Sequence, residues 1–115
     1  MAVGSRQRAL GQHFLRDSGI ARSIVDLVAP TANDLVVEIG PGEGALTGEL
    51  ARRAGLVIAL ELDPDLAARL RPRFPSVDVV EADARSWDYG TLVAPAGGRV
   101  LVVGDRKSTR LNSSH

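Results

Sequence analysis

Cysteine is absent from the 115-residue sequence. That excludes a disulfide scaffold, a thiolate zinc site and a cysteine nucleophile, and leaves the redox compartment open. Aromatic residues are few, with Phe14, Phe74, Trp87 and Tyr89 the whole set, so a packed core has to be aliphatic. No apolar run approaches the ~20 residues of a membrane span. Arg6 and Arg8 are not followed by the apolar stretch of a signal peptide. A cytoplasmic protein with no membrane partner is the expectation. Net charge is lacking too, with 14 basic against 14 acidic residues, which by itself argues against a nucleic-acid partner. The average conceals a pattern. Arg6, Arg8, Arg16 and Arg22 make the first 25 residues basic, while most acids fall between Glu38 and Asp88.

What is present is ordinary for a globular chain: 44% hydrophobic and 24% charged residues, in a length that makes one small domain. Asp17 or Ser18 reads as a helix cap, and Ile20, Ile24, Val25 and Val28 follow at helical spacing until Pro30. Leu35 to Ile39 is a β-branched run that ends in Gly40 and reads as a buried strand. After the glycine-rich stretch from Gly40 to Gly44, residues 45–54 carry Leu46 and Leu50 at i,i+4, a helix closed by Gly55 as a C-terminal glycine. Residues 57–60 form a second apolar strand ending at Glu61. Asp63 and Pro64 open another helix, with proline in its first turn, and Pro72 and Pro75 bracket its end. Residues 77–80 and 99–103 supply a third and a fourth strand.

Strands that alternate with helices, apolar on both faces, predict an α/β fold with about four parallel strands and crossover helices. In such sheets the ligand crevice lies at the carboxyl ends of the strands. Gly40, Glu61 and Asp83 each follow a strand, so the chemistry-bearing residues fall where the topology puts the crevice.

Glu38-Ile-Gly40-Pro-Gly42-Glu-Gly44 lets the backbone turn sharply and come close to a ligand. Gly40, Gly42 and Ala45 also fit the dinucleotide fingerprint G-x-G-x-x-G/A, so an NAD-binding Rossmann domain is a rival reading. Glu38 separates the two. An acid just ahead of the loop suits a cofactor that carries an ammonium and a sulfonium better than an anionic pyrophosphate. Glu61 stands 21 residues after Gly40, the spacing at which an acid accepts the ribose hydroxyls of an adenosine-containing cofactor. Asp83 can accept from the exocyclic amine of adenine, although a loop aspartate often only makes a turn.

Together with Gly11-Gln-His-Phe-Leu15, the Glu38–Gly44 loop, Glu-Leu-Asp at 61–63 and Asp-Ala at 83–84 resemble the rRNA adenine N6-dimethyltransferases. That family includes the small-subunit (16S) enzyme and the macrolide-resistance (23S) enzymes. The resemblance covers nearly all of residues 6–104, and the 16S branch is the nearer one. It implies a partial class I methyltransferase domain of Rossmann-like fold over residues 1–104. It also implies S-adenosylmethionine (SAM) as cofactor, an rRNA adenine in the ribosomal subunit as substrate, and a monomer without metal. His13 and Leu15 would line the cofactor site, Gly40 would approach the methionine moiety, Gly42 would also bind the cofactor, Glu61 would hold the ribose and Asp83 the adenine. His13 stands where many members have Asn. Arg6, Arg8 and Arg16 are candidates for RNA phosphate contacts.

The departure comes at the end of the fourth strand. The family continues there into Asn-Leu/Ile-Pro-Tyr/Phe, which holds the target amine and stacks on its ring. Here Asp105-Arg-Lys-Ser follows Gly104. The segment from Asp105 to His115 is polar, lacks periodicity, and resembles one reading frame of a common sequencing adapter. It is expected to be a non-native tail without fixed structure, and the chain to be an inactive N-terminal fragment. Without its four charges the net charge becomes about −2.

Overall fold

The computed structural model describes residues 18–104. His13, Leu15, the three N-terminal arginines Arg6, Arg8 and Arg16, the cap candidate Asp17 and the 105–115 tail lie outside the described residues.

Helix α1 (Ser18–Val28) buries Ala21 and Val25 and leaves Leu27 in solvent, as an amphipathic period requires. It stops one residue ahead of the proline. Ala29 adopts a left-handed φ of 53° and donates its N–H to the Val25 carbonyl. Strand β1 (Leu35–Ile39) is buried at all five positions. Helix α2 (Ala45–Arg53) leads to β2 (Leu56–Glu61), and α3 (Pro64–Arg73) leads to β3 (Asp78–Glu81). A single 3₁₀ turn (Pro95–Gly97) precedes β4 (Val100–Gly104). Strands β3 and β4 are each shifted one residue from the positions read in the sequence, and α3 continues through Pro72, which sits in its last turn.

All pairs are parallel, in the order β3-β2-β1-β4. The order steps outward from β1 to β3 and then returns across β1 to β4. Connections of one hand must therefore cover one face on the way out and the other on the way back. That is the arrangement seen. Val25 of α1, Leu50 of α2 and Ala67 and Leu70 of α3 pack with Val36, Val57, Ala59 and Val79 on one face. On the other, Leu35, Val37, Ile39 and Leu60 meet Trp87, Tyr89 and Leu92 of the β3–β4 connection. The buried core is aliphatic, as the scarcity of rings requires. Trp87 and Tyr89 close its rim edge to face at 5.2 Å, with the Tyr89 hydroxyl donating to the Ala84 carbonyl.

At the amino ends of the strands, one buried carboxylate gathers three of them. Asp34 accepts the N–H groups of Thr31 and Arg99 and, at 2.8 Å, the Arg99 guanidinium. Its carbonyl accepts from Gly55 and Leu56, at the head of β2. The Arg99 hydrogen bonds hold the Asp34 carboxyl well below the usual carboxylate range. Gly55 is part of this junction rather than a left-handed helix cap, because Ala54 before it is extended and caps α2. A Cβ at Gly55 would overlap the Ala32 carbonyl, and one at Gly98 the Asn33 carbonyl, so both glycines are required by close approach.

Leu50, fully buried between α2 and the sheet, is the most direct test of this core. Leu50→Ala should cost about 2–5 kcal/mol, read as a lower urea midpoint at unchanged slope.

Candidate functional site

The carboxyl ends of β1, β2 and β3 lie side by side. The parallel register sets Ile39 opposite Leu60 and Glu61 opposite Glu81. Four of the residues singled out in the sequence, Gly40, Gly42, Glu61 and Asp83, are brought together here. The Gly40 N–H donates to the Leu60 carbonyl at 2.9 Å, and the Gly42 N–H to Oε1 of Glu61 at 3.3 Å. Asp83 comes next across the row, since the Ala82 N–H donates to the Glu61 carbonyl.

The glycine loop is held from several sides. Gly40, Gly42 and Gly44 have φ of 68°, 58° and 91°, values that L side chains rarely adopt. Among the described residues nothing lies within 4 Å of a Cβ built on Gly40 or Gly42, whereas one on Gly44 would run into the Phe74 ring at 2.5 Å. The first two glycines therefore present bare backbone to open space, and the third is a packing glycine. Arg73 donates to the Glu43 carbonyl at 2.7 Å while its guanidinium sits over the Phe74 ring.

Glu61 is mostly buried, with Oε1 accepting from Gly42 and Oε2 from Asp63. It is thus no cap for α3. Asp63 does that, accepting from Asp65 and Leu66. A carboxylate has about four lone-pair positions, so among the described residues one remains open on each Glu61 oxygen, and the two backbone donors fix the plane in which they point. Leu62, 66% exposed, stands beside it. Asp83 is only partly covered and is not free: Arg85 grips it through Nη2 at 3.0 Å, Nε at 3.2 Å and its own N–H. Those hydrogen bonds lower the Asp83 carboxyl below its ordinary value.

Glu38 differs from its expected role. It is 2% exposed and accepts a 2.5 Å hydrogen bond from Thr47 Oγ1 of α2. It lies on the helix-covered face, which Glu61 shares, and it is closed off from solvent and held by α2. Burial pushes its carboxyl up from 4.5 to about 7, a rise that the Thr47 bond opposes and the Glu61 charge reinforces. Thr47 and Arg85 are partners that the sequence reading passes over. Thr47 carries a signal: it lies three residues before Leu50, a polar residue on an apolar stripe. Arg85 carries none, being one more surface arginine. Among the described residues, no group of three His, Cys, Asp or Glu is placed to hold a metal ion, and no helix is long and apolar enough to cross a membrane.

A carboxyl raised in the folded state binds its proton more tightly there than in the unfolded chain. Glu38 therefore costs stability as pH climbs from about 4.5 through about 7, and the full cost applies above that. Glu38→Gln keeps an oxygen for Thr47 and removes the charge. It should raise stability at pH 8 by up to about 3 kcal/mol and flatten the pH profile between 5 and 7. Chemical denaturation at a series of pH values checks this.

A family model described as ribosomal RNA adenine dimethylase matches residues 4–109. The chain is 45% identical over 105 residues to ribosomal RNA small subunit methyltransferase A of Variovorax paradoxus (strain S110), covering 91% of this chain and 40% of that protein. To the protein of the same name from Bordetella pertussis (strain Tohama I) it is 44% identical over 107 residues, covering 91% and 39%. The chain thus spans about two fifths of these relatives. Among solved structures, the 23S rRNA methyltransferase ErmE superimposes with a TM-score of 0.71 at 34% identity, over 88% of this chain and 41% of that one. Sheet order, loop geometry and these matches agree, and the chain belongs to the ribosomal RNA adenine dimethylase family.

Proposed function

We propose that this chain is the cofactor-binding part of a SAM-dependent rRNA adenine N6-dimethyltransferase acting on the small ribosomal subunit. The observation that carries the reading is the state of Glu61. Each of its oxygens holds one backbone N–H and keeps one lone pair, which matches the two adjacent hydroxyls of a ribose. Bare backbone at Gly40 and Gly42 beside it suits a ligand that approaches the main chain closely. Asp83, one strand further along, would take the adenine amine. Its Oδ2 accepts only from Arg85 in the hydrogen bonds described, so one lone pair is left for that donor. His13 and Leu15 complete the proposed cofactor site from outside the described residues. A small-subunit target is favoured by the names of the relatives, which share 45% and 44% identity with this chain, against 34% for the 23S enzyme.

SAM supplies a methyl group on a sulfonium, which is electrophilic. The contribution of this chain is to bind and orient it, with Glu61 and Asp83 holding the nucleoside and the glycine loop the amino-acid end. The acceptor nitrogen of adenine is a weak nucleophile, so the remaining task is alignment of the base. The same reading has the protein work as a cytoplasmic monomer without metal. Arg6, Arg8 and Arg16 would meet RNA phosphate.

Glu61→Ala should weaken SAM binding by ~1.5–3 kcal/mol, the cost of losing charged hydrogen bonds. Calorimetry on the chain joined to its genomic continuation measures this, with the melting temperature followed in parallel. Unchanged affinity, or tighter binding of NAD than of SAM, would sink the reading.

The 115-residue chain as written should transfer no methyl group, because Asp105-Arg-Lys-Ser offers neither a side-chain amide donor nor an aromatic ring after β4. Asp105→Asn alone should not restore transfer. A tritium transfer assay on unmethylated small subunits decides this, and incorporation above background would show the tail to be native.

A further inference from the structure

We propose that Thr47 and Glu38 are positioning residues: their hydrogen bond closes the glycine loop across its two ends and so sets the affinity for the amino-acid end of SAM. The ligand named here rests on the function proposed above; the clamp itself rests only on geometry.

The loop spans residues 40–44, between the end of β1 and the start of α2. Both junctions are weak by local criteria. Gly44 is the N-cap of α2 and has no side chain to cap the helix with, where Ser, Thr, Asp or Asn would ordinarily satisfy the first N–H groups. Three glycines in left-handed conformations lie within five residues, and each lowers the entropy barrier to rearrangement. One bond from Thr47 to Glu38 joins the first turn of α2 to the carboxyl end of β1 across this segment. A helical threonine often bonds back to the carbonyl four residues before it. Here that carbonyl, Glu43, receives Arg73 instead, and Thr47 reaches the strand. Thr47 is fully buried and Glu38 nearly so, so water does not compete for either group, and the bond is enforced by the cost of leaving them unpaired.

Position strengthens the case. Val36 and Ala59 lie on the helix-covered face, and strand alternation puts Glu38 and Glu61 on that face as well. Glu38 is held to α2, while Glu61 holds Gly42 from below. The loop is thus secured at both of its ends by Thr47 and at its middle by Glu61. Breaking the first contact should loosen the loop while leaving the nucleoside-binding acid in place.

The test uses Thr47→Val, which keeps volume and branching, Thr47→Ser, which keeps the donor, and the pair Glu38→Leu with Thr47→Val. The pair leaves no buried polar group without a partner, and so guards against a variant that merely unfolds. Hydrogen exchange of the Gly42 and Gly44 amides, without ligand, should quicken by about tenfold in the valine and paired variants, one net hydrogen bond's worth, and return toward the parent in the serine variant. SAM affinity should fall by about tenfold with that same bond, while 5′-methylthioadenosine, which lacks the amino-acid end, should change by less than about twofold. Unchanged exchange in a folded variant, failure of serine to rescue, or equal loss of both ligands would overturn the clamp. If the parent binds neither ligand, the cofactor reading falls, and the exchange arm still decides the clamp.

Discussion

The buried carboxylate of Asp34 meets the N–H and guanidinium of Arg99, and the main-chain carbonyl of the same residue meets the amides of Gly55 and Leu56 at the head of β2. This junction sets Leu35 level with both Leu56 and Val100. Parallel pairing transmits that alignment along the strands, so their far ends also finish level. A slip of one residue would exchange the faces of the moved strand and put its apolar side chains on the wrong layer. The alignment of Gly40 with Glu61 therefore depends on a contact at the opposite end of the sheet, the five residues of β1 away.

Asp34 and Glu38 show how far environment decides the behaviour of one functional group. Both are buried acids, at the two ends of the same strand. Asp34 has a guanidinium and several N–H donors, and these favour its charged form beyond the cost of burial. Glu38 has one hydroxyl donor and a neighbouring negative charge, and burial wins. The consequences for stability have opposite sign. Asp34 contributes fully above the ordinary aspartate range and loses its contribution as pH falls from there toward its lowered value. Glu38 withdraws stability as pH rises toward neutrality. The strand that carries the site is thus held most firmly on the acid side of neutral.

The two faces of the sheet are built differently. Three helices cover one of them, and an irregular connection with Trp87, Tyr89 and Leu92 covers the other. The glycine loop belongs to the helical layer, tied by Thr47, Arg73 and Phe74, which gives a segment rich in left-handed glycine a defined shape. Preorganisation of this kind lowers the ordering cost of binding.

Much of this was legible in the residues alone. Alternating apolar runs, the proline that opens α3 and the Gly40–Gly44 loop point to a parallel α/β sheet, because each is a local signal read over a few neighbours. Acids at the ends of β2 and β3 mark the proposed crevice for the same reason, and the short motifs around residues 11–15 and 38–44 carry the family. Contacts between distant residues were decided only by the tertiary structure. The sequence spacing that suggests a helix cap at Gly55 cannot reveal the Ala32 carbonyl packed against it. Nor can it show that Glu38 is buried and paired with Thr47, or that Asp83 is already gripped by Arg85. Hydrogen-bond partners and charge states are set by groups that meet only once the chain is folded, and no local pattern encodes which groups those will be.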